Sequence, residues 1–248
     1  MSRGPADGRP RVALVHDWLT GMRGGEKVLL ELARMLPEAD LLTLVHRKGS
    51  CHPTLERRRI VTSVLDDLPA VHRYYRHLLP LMPLAIERMP AEAYDAVVST
   101  SHCVAKGVVR RPDAPHVCYC HTPMRYAWAQ GRAYGQTMGG VSAAALRALR
   151  GYLRAWDRRS AGHVDRFVAN SRNVARRIED TYGRQAEVVY PPIDTGFFTP
   201  DETPREDYYL VVSALAPYKR VEHAVEAAAQ LGRPLKIVGT GQQAEKLR

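Results

Sequence analysis

Long apolar runs are missing from this 248-residue chain. No stretch approaches the roughly 18 uncharged apolar residues that a membrane-spanning helix needs, so the sequence offers none. The opening residues, MSRGPADGRPR, are polar and rich in proline and glycine. They lack an apolar core, which excludes a secretory signal and points to a disordered leader over residues 1–10. Cysteine is scarce. Cys51, Cys103, Cys118 and Cys120 are unevenly spaced, and without an export signal they are expected to be reduced thiols in the cytoplasm. Neither GxGxxG nor GxxxxGK(S/T) occurs, and no internal repeat recurs at a fixed period.

Acid is the other shortage. Against 36 Lys and Arg stand 26 Asp and Glu, a formal net charge of +10. That balance favours anionic partners: nucleic acid, acidic lipid or phosphorylated small molecules. With 45% hydrophobic and 25% charged residues, the composition is that of a soluble globular protein large enough to bury a core.

What the chain does contain is alternation. Apolar runs that end in polar residues read as buried strands: RVALVHDW, ADLLTLVH, YDAVVSTSH, APHVCYCH, VDRFVANS and AEVVYPP. Between most of them lie stretches with helical spacing, such as Val28, Leu29, Leu32, Met35 and Leu36 before Pro37. This βαβ repetition predicts an α/β domain over residues 11–190, a parallel sheet covered on both faces. Residues 191–206, rich in Pro, Thr and Asp, read as a linker. Residues 207–248 then begin a strand, helix, strand and glycine turn, the start of a second doubly wound domain. Some forty residues fall short of the ~100 that such a domain needs, so the expectation is a truncated two-domain protein.

Four strand ends carry chemistry. Gly24 and Gly25 directly precede a helix, whose first amides lack internal partners and attract phosphate; a flexible turn with a cap is the plainer alternative. Ser101 and His102 close the YDAVVSTSH run and Lys106 comes four residues later, as a site or as a cap with a solvated lysine. His121 ends a strand and is followed at once by the Thr122-Pro123 break, at the edge where α/β proteins bind ligands. On that strand His116, Cys118 and Cys120 share one face, but their two-residue spacing lacks the turn geometry of a zinc site, so no metal is expected. Lys219 and Arg220 stand at the start of a helix after the first strand of the second domain, where a cation reinforces an anion site. The IVGTGQQ turn adds a second phosphate-compatible loop.

Taken together in order, GGEKVLLELA, STSHCVAKGV, CYCHTPMRYAW, FVANSRNVARRI, VVYPPIDTGFF, APYKRVEHAVEA and IVGTGQQAEKL resemble retaining glycosyltransferases of family 4. The nearest likeness is to bacterial O-antigen-type mannosyltransferases. The resemblance implies a GT-B fold of two Rossmann-like domains, acceptor on the first and nucleotide sugar on the second. It implies that Gly24 and Gly25 face the donor diphosphate, that His121 lies against the donor sugar and that Lys219 holds the diphosphate, giving His121 and Lys219 catalytic roles. Ser101, His102, Lys106, Thr122 and Arg125 fall on the acceptor side. It further implies metal-independent electrostatic catalysis with GDP-mannose or a UDP-sugar as donor, a lipid-linked or oligosaccharide acceptor, and no nucleic acid. Two departures stand out. An arginine expected five residues before the lysine is Ala214, which leaves Arg220 as a substitute, and the downstream E-x7-E region is absent, so the chain by itself is expected to be inactive.

Two segments interleave arginines with apolar residues. One runs from Arg57, Arg58 and Arg59 through Arg73, Tyr74, Tyr75, Arg76, Leu78, Leu79, Leu81 and Met82 to Arg88. The other sets Arg147, Arg150, Arg154 and Arg158 on one helical stripe and Leu146, Leu149, Leu153 and Trp156 on another. Both are compatible with peripheral binding to an anionic membrane surface on the inner face of the cell membrane, or with amphipathic helices packed inward. The rival readings are a non-catalytic nucleotide- or anion-binding remnant, an NAD-dependent oxidoreductase, for which the glycine spacing fails, and a nucleic-acid binder, for which no reading motif is present.

Overall fold

The computed structural model describes residues 10–128, 143–200 and 202–247. The leader assigned to residues 1–10 lies, but for Pro10, outside the described residues. The chain divides into two compact units, Met1–Ile193 and Asp194–Arg248.

In the first unit seven strands run parallel: β1 (Val12–His16), β2 (Asp40–Thr43), β3 (Ile60–Thr62), β4 (Ala96–Ser101), β5 (His116–Cys120), β6 (Arg166–Ala169) and β7 (Ala186–Val188). Their order across the sheet is β3-β2-β1-β4-β5-β6-β7. Six of the seven are the strands expected from the sequence. The addition is β3, an edge strand of three half-buried residues inside the segment read as a basic surface stretch.

Alternation along β1 shows how both faces are filled. Ala13 and Val15 enter one core with Trp18, Tyr75, Leu79 and Trp156, while Leu14 enters another with Leu29, Leu30 and Ala33. Leu29, Leu30 and Ala33 belong to α1 (Gly24–Met35), whose buried positions recur at helical spacing. Complete burial of a side chain such as Leu14 stabilises the fold by about 1.5–3 kcal/mol. α1 begins on the two glycines instead of following them, and Glu26 reaches back to accept from the Arg23 N–H at 3.1 Å.

The two arginine-rich segments turn most of their named apolar residues inward, while Leu81 stays exposed. Tyr75, Leu79 and Met82 of the first are buried in the core, with Tyr74 and Leu78 packed against it; α3 (Met82–Glu87) follows. Arg58 donates to the carbonyls of Ala33, Leu36 and Ala39, closing the C-terminal end of α1, and Arg59 pairs with Asp40 at 3.2 Å. The second segment forms α5 (Ala143–Ser160), which follows the short α2 (Pro53–Glu56) and α4 (Arg125–Trp128) in chain order. Leu153 and Trp156 are buried and Leu149 packs against them; the side chain of Leu146 lies outside the described residues. Arg154 and Arg158 stack on Trp128, 5.0 and 4.7 Å from the ring centre. Among the described residues no helix is long and apolar enough to cross a membrane.

Trp156 needs Gly107: a Cβ there would stand 2.4 Å from the indole Cζ2, so α5 reaches the sheet because position 107 has no side chain. Helix α6 (Arg172–Tyr182), capped by the Ser171 hydroxyl on the Val174 N–H, covers β6 and β7. All four cysteines are free thiols. Cys118 and Cys120 are buried with Phe167 and Ile178, and burial pushes the Cys118 thiol up to about 12.

The second unit comprises β8 (Tyr209–Val212), α7 (Val221–Leu231) and β9 (Leu235–Val238), with β8 and β9 parallel. The GTG turn after β9 packs on the segment after β8. Gly241 has φ +155° and a Cβ there would stand 2.4 Å from the Leu215 carbonyl oxygen, a place only glycine fits.

Candidate functional site

From β1 the chain moves outward through β2 to β3, then returns to lay β4 on the other side of β1 and moves outward through β5, β6 and β7. The carboxyl ends of β1 and β4 are therefore the point where strand order reverses, the crevice where open α/β sheets bind ligands. His16 ends β1 and Asp17 follows it, Ser101 ends β4 and His102 follows it, and His121 comes directly after β5.

Asp17 organises this edge. Its Oδ2 accepts from the N–H groups of His102 (2.8 Å) and Cys103 (3.0 Å), and its Oδ1 from those of Val104 (2.6 Å) and Ala105 (2.7 Å). The His102 ring adds Nδ1 at 2.9 Å from the same Oδ2. Asp17 is fully buried. Burial pushes its carboxyl upward, but the His102 ring and the converging N–H groups outweigh this and hold it well below the usual carboxylate range. An ionised Asp17 requires a proton on His102 Nδ1. Trp18 meets the His102 ring edge-on at 4.7 Å.

His16 and His121 stand beside this pair. His16 Nδ1 is hydrogen-bonded to Thr100 Oγ1 at 2.5 Å, and its Nε2 is 4.0 Å from Glu26 Oε1. Burial lowers its pKa to about 3, and burial raises that of Glu26. The His121 ring lies 6.4 Å from that of His102 and 5.3 Å from that of Tyr119. Burial lowers its pKa to about 4, with the His102 and Arg125 charges acting in the same direction and Asp17 against them. His121 is therefore neutral at neutral pH. Gly25 separates the two imidazoles: a Cβ there would sit 3.4 Å from His121 Nε2 and 3.5 Å from His16 Cε1. Gly25 thus packs directly against the His121 ring, and Gly24 beside it is exposed with open space around it.

Other residues singled out by sequence fall differently. Lys106 does not share a face with His102. The turn at Ala105–Gly107 is a 3-10 turn, and it sends the lysine beneath α5. There its ammonium is buried, 2.7 Å from Asp157 Oδ1 and 2.6 Å from Ser160 Oγ, over the Trp156 and Tyr182 rings. It ties α5 to the sheet. Ser101 is buried too, and its carbonyl accepts from the His121 N–H at 2.8 Å. Thr122, half-buried, donates its hydroxyl to the Pro123 carbonyl at 3.1 Å. Arg125, half-buried at the start of α4, lies close enough to His121 to bias its ring.

Three residues of this edge escaped the sequence reading. His16 and Asp17 were visible only as polar residues closing an apolar run. Asn170 ends β6, and its Nδ2 donates to the His121 carbonyl at 3.2 Å. Among the described residues no three His, Cys, Asp or Glu side chains gather as a cation site.

In the second unit Lys219 ends the 3-10 turn Pro217–Lys219, and its amide donates to the Ala216 carbonyl at 2.9 Å. Arg220 follows with φ +51°. Its guanidinium is engaged by Glu222 (2.8 Å) and His223 (2.7 Å), so the part assigned to it as substitute diphosphate cation would require breaking that pairing.

Residues 22–197 match the sequence profile of Glycosyltransferase Family 4. Among curated proteins none matches the sequence of this chain. Among solved structures, the crystal structure of Anabaena HepE in complex with UDP and glucose is 14% identical, with a TM-score of 0.55 over 95% of this chain and 63% of that one. Os79 from O. sativa, in complex with UDP, is 13% identical with a TM-score of 0.47, covering 91% of this chain and 66% of that one. A putative UDP-N-acetylglucosamine 2-epimerase from Listeria monocytogenes is 11% identical with a TM-score of 0.45, covering 97% and 65%. The likeness to HepE shows the fold, the α/β architecture of GT-B proteins, and the chain spans 63% of that protein's length.

Proposed function

The chain belongs to glycosyltransferase family 4, and on that premise we propose that it takes part in transferring a hexose from a nucleoside diphosphate sugar to a hydroxyl acceptor with retention. The observation that carries this reading is the strand-order reversal at β1 and β4, where His16 and His121 flank Gly25 at the start of α1 and the Asp17–His102 pair stands at the same edge. In this reading the Gly24 and Gly25 amides meet the donor diphosphate at the positive end of α1. His121, neutral and with Nε2 buried and unpartnered, lies against the donor sugar and offers it one hydrogen bond without adding a charge. Asn170 and the Ser101 carbonyl hold the His121 backbone in place. Lys219 stabilises the departing diphosphate. The sugar–phosphate C–O bond breaks as the acceptor oxygen bonds to the same carbon from the same face, and the hydroxyl proton leaves with the diphosphate oxygen.

GDP-mannose is the favoured donor because the motif set resembles mannosyltransferases; a UDP-sugar is the alternative, supported by the UDP in the HepE complex. The acceptor is proposed to be lipid-linked or an oligosaccharide. Calorimetric titration of GDP, UDP and NAD into the protein tests the reading. One nucleoside diphosphate is expected to bind, and Lys219→Ala to weaken it roughly tenfold, the scale of one charge-assisted contact. If neither nucleoside diphosphate binds, or NAD binds best, the proposal is wrong.

A further inference from the structure

Beside the glycine loop, on the β2 and β3 side of the switch point, lies a cavity of about 380 Å³. Four arginines line it. Arg23 comes from the loop before α1, Arg47 from the segment after β2, and Arg73 and Arg76 from the turns after β3. His72 and His77 also face it, and no acidic residue does. The three arginine sources lie some fifty residues apart in sequence from first to last, and only the parallel alignment of β1, β2 and β3 brings them to one edge. Tyr75, buried, closes the cavity, with its hydroxyl 3.5 Å from Thr20 Oγ1 and the Arg76 guanidinium 5.5 Å above its ring.

Some arginines elsewhere in the unit are paired with carboxylates. Arg59 has Asp40, Arg110 has Asp165, Arg111 has Asp95 and Asp113, and Arg159 has Glu87. Among the described residues, no carboxylate lies within ion-pair distance of Arg23, Arg47 or Arg73. Arg23, Arg47 and Arg73 on one concavity whose lining holds no acid repel one another and focus a positive potential into it, which an anion relieves. The planar guanidinium fork matches phosphate oxygens two at a time. The volume is within the ~300–1,000 Å³ range of small-molecule sites and exceeds what a single phosphate fills.

We infer that this arginine cavity binds a phosphate or diphosphate group carried by the acceptor, so that the acceptor is itself a phosphorylated molecule. The inference rests on the glycosyltransferase reading for the word acceptor, and on the cavity alone for the anion. The cavity is separate from the surroundings of His121: position 25 faces His121 and His16, whereas neither of those residues lines the arginine cavity.

Inorganic pyrophosphate titrated into the protein by calorimetry is the direct probe, at low and moderate salt, with GDP and UDP titrated in parallel. The double variant Arg47→Glu/Arg73→Glu reverses two exposed charges and leaves the core untouched; Arg176→Glu, exposed on α6, controls for net charge. Pyrophosphate binding is expected to weaken tenfold or more in the double variant and to hold in the control, with nucleoside diphosphate affinity unchanged in both. Equal pyrophosphate binding by wild type and double variant overturns the inference. So does loss of nucleoside diphosphate binding in the double variant, which would make the cavity part of the donor site. Failure of the function proposal reads differently: no nucleoside diphosphate binds, while pyrophosphate still binds through the arginines. Two further arms identify the source of the phosphate. A soluble hexose 1-phosphate competing with pyrophosphate indicates a free sugar phosphate. Sedimentation with phosphatidylcholine vesicles only when they carry a polyprenyl diphosphate indicates a lipid-linked one. If neither competes nor recruits, the acceptor assignment falls.

Discussion

Asp17 and His102, 85 residues apart in the chain, meet twice through one oxygen: Oδ2 takes the His102 N–H at 2.8 Å and faces the His102 Nδ1 at 2.9 Å. With the Cys103, Val104 and Ala105 amides on the same carboxylate, Asp17 folds the end of β4 around the end of β1. The consequence is both structural and chemical. The turn that follows β4 has its orphan amides satisfied by a charge, and the His102 ring is held through its Nδ1.

Asp17→Asn replaces one accepting oxygen with a donor, which opposes two of the four amides and, at the Oδ2 position, the ring proton as well. Each buried donor left unmatched costs about 1–3 kcal/mol, so the variant should lose about 2–5 kcal/mol in urea unfolding. The Nδ1 chemical shift of His102 should move as the ring loses its carboxylate partner. A variant as stable as wild type with an unchanged His102 spectrum would show that the carboxylate does not hold this edge.

Lys106 separates two readings of the same residue. If it ties α5 to the sheet, Lys106→Met strands Asp157, which is fully buried and also holds the Trp128 indole (2.7 Å) and the Tyr182 hydroxyl (2.8 Å). Removing one partner of a buried pair costs about 3–5 kcal/mol, and adding Asp157→Asn should recover part of it by removing the stranded charge. The opposite pattern, full stability with lost nucleotide or acceptor binding, would restore the ligand-facing role that its spacing from His102 suggested.

The residues that were legible from sequence and those that were not differ for physical reasons. Six strands were readable because each buries an apolar run that ends abruptly in polar residues, as Val97 and Val98 run into Ser99 and Thr100. β3 was not, because Ile60–Thr62 is a three-residue edge strand preceded by arginines, and its partner Leu41–Thr43 is what makes it a strand. His121 and Gly25 stood out through local context, a strand ending at a proline break and a glycine pair opening a helix. Asp17 and Asn170 had no such context: a lone acid or amide after a strand gives no sign of which distant amide or carbonyl it meets. Lys106 misled for the related reason that a four-residue spacing implies a shared face only on an α-helix, and the chain there makes a 3-10 turn.

Buried neutral histidines give the fold a pH dependence of definite sign. His16 titrates at about 3, and His116 and His121 at about 4, all lowered first by burial, against about 6.5 in an unfolded chain. His116 accepts or shares a proton with Ser99 Oγ at 2.8 Å and meets the His163 carbonyl at 3.0 Å, a pairing that suits the neutral ring. Because each folded pKa lies below the unfolded one, protonation favours the unfolded chain. The stability these rings contribute is complete above about pH 6.5 and drains as pH falls toward 4. Three protons taken up on unfolding set an upper slope of about 4 kcal/mol per pH unit in the lower part of that window. Urea midpoints measured at pH 7.5, 6 and 5 should fall steadily. His116→Gln, distant from the switch-point cluster, should lower the slope by one proton while leaving the His16 and His121 contributions in place. A midpoint that stays level from pH 7.5 to 5 would mean that these rings are hydrated or already charged in the native state, and with that the neutral His121 required at the donor sugar would be lost.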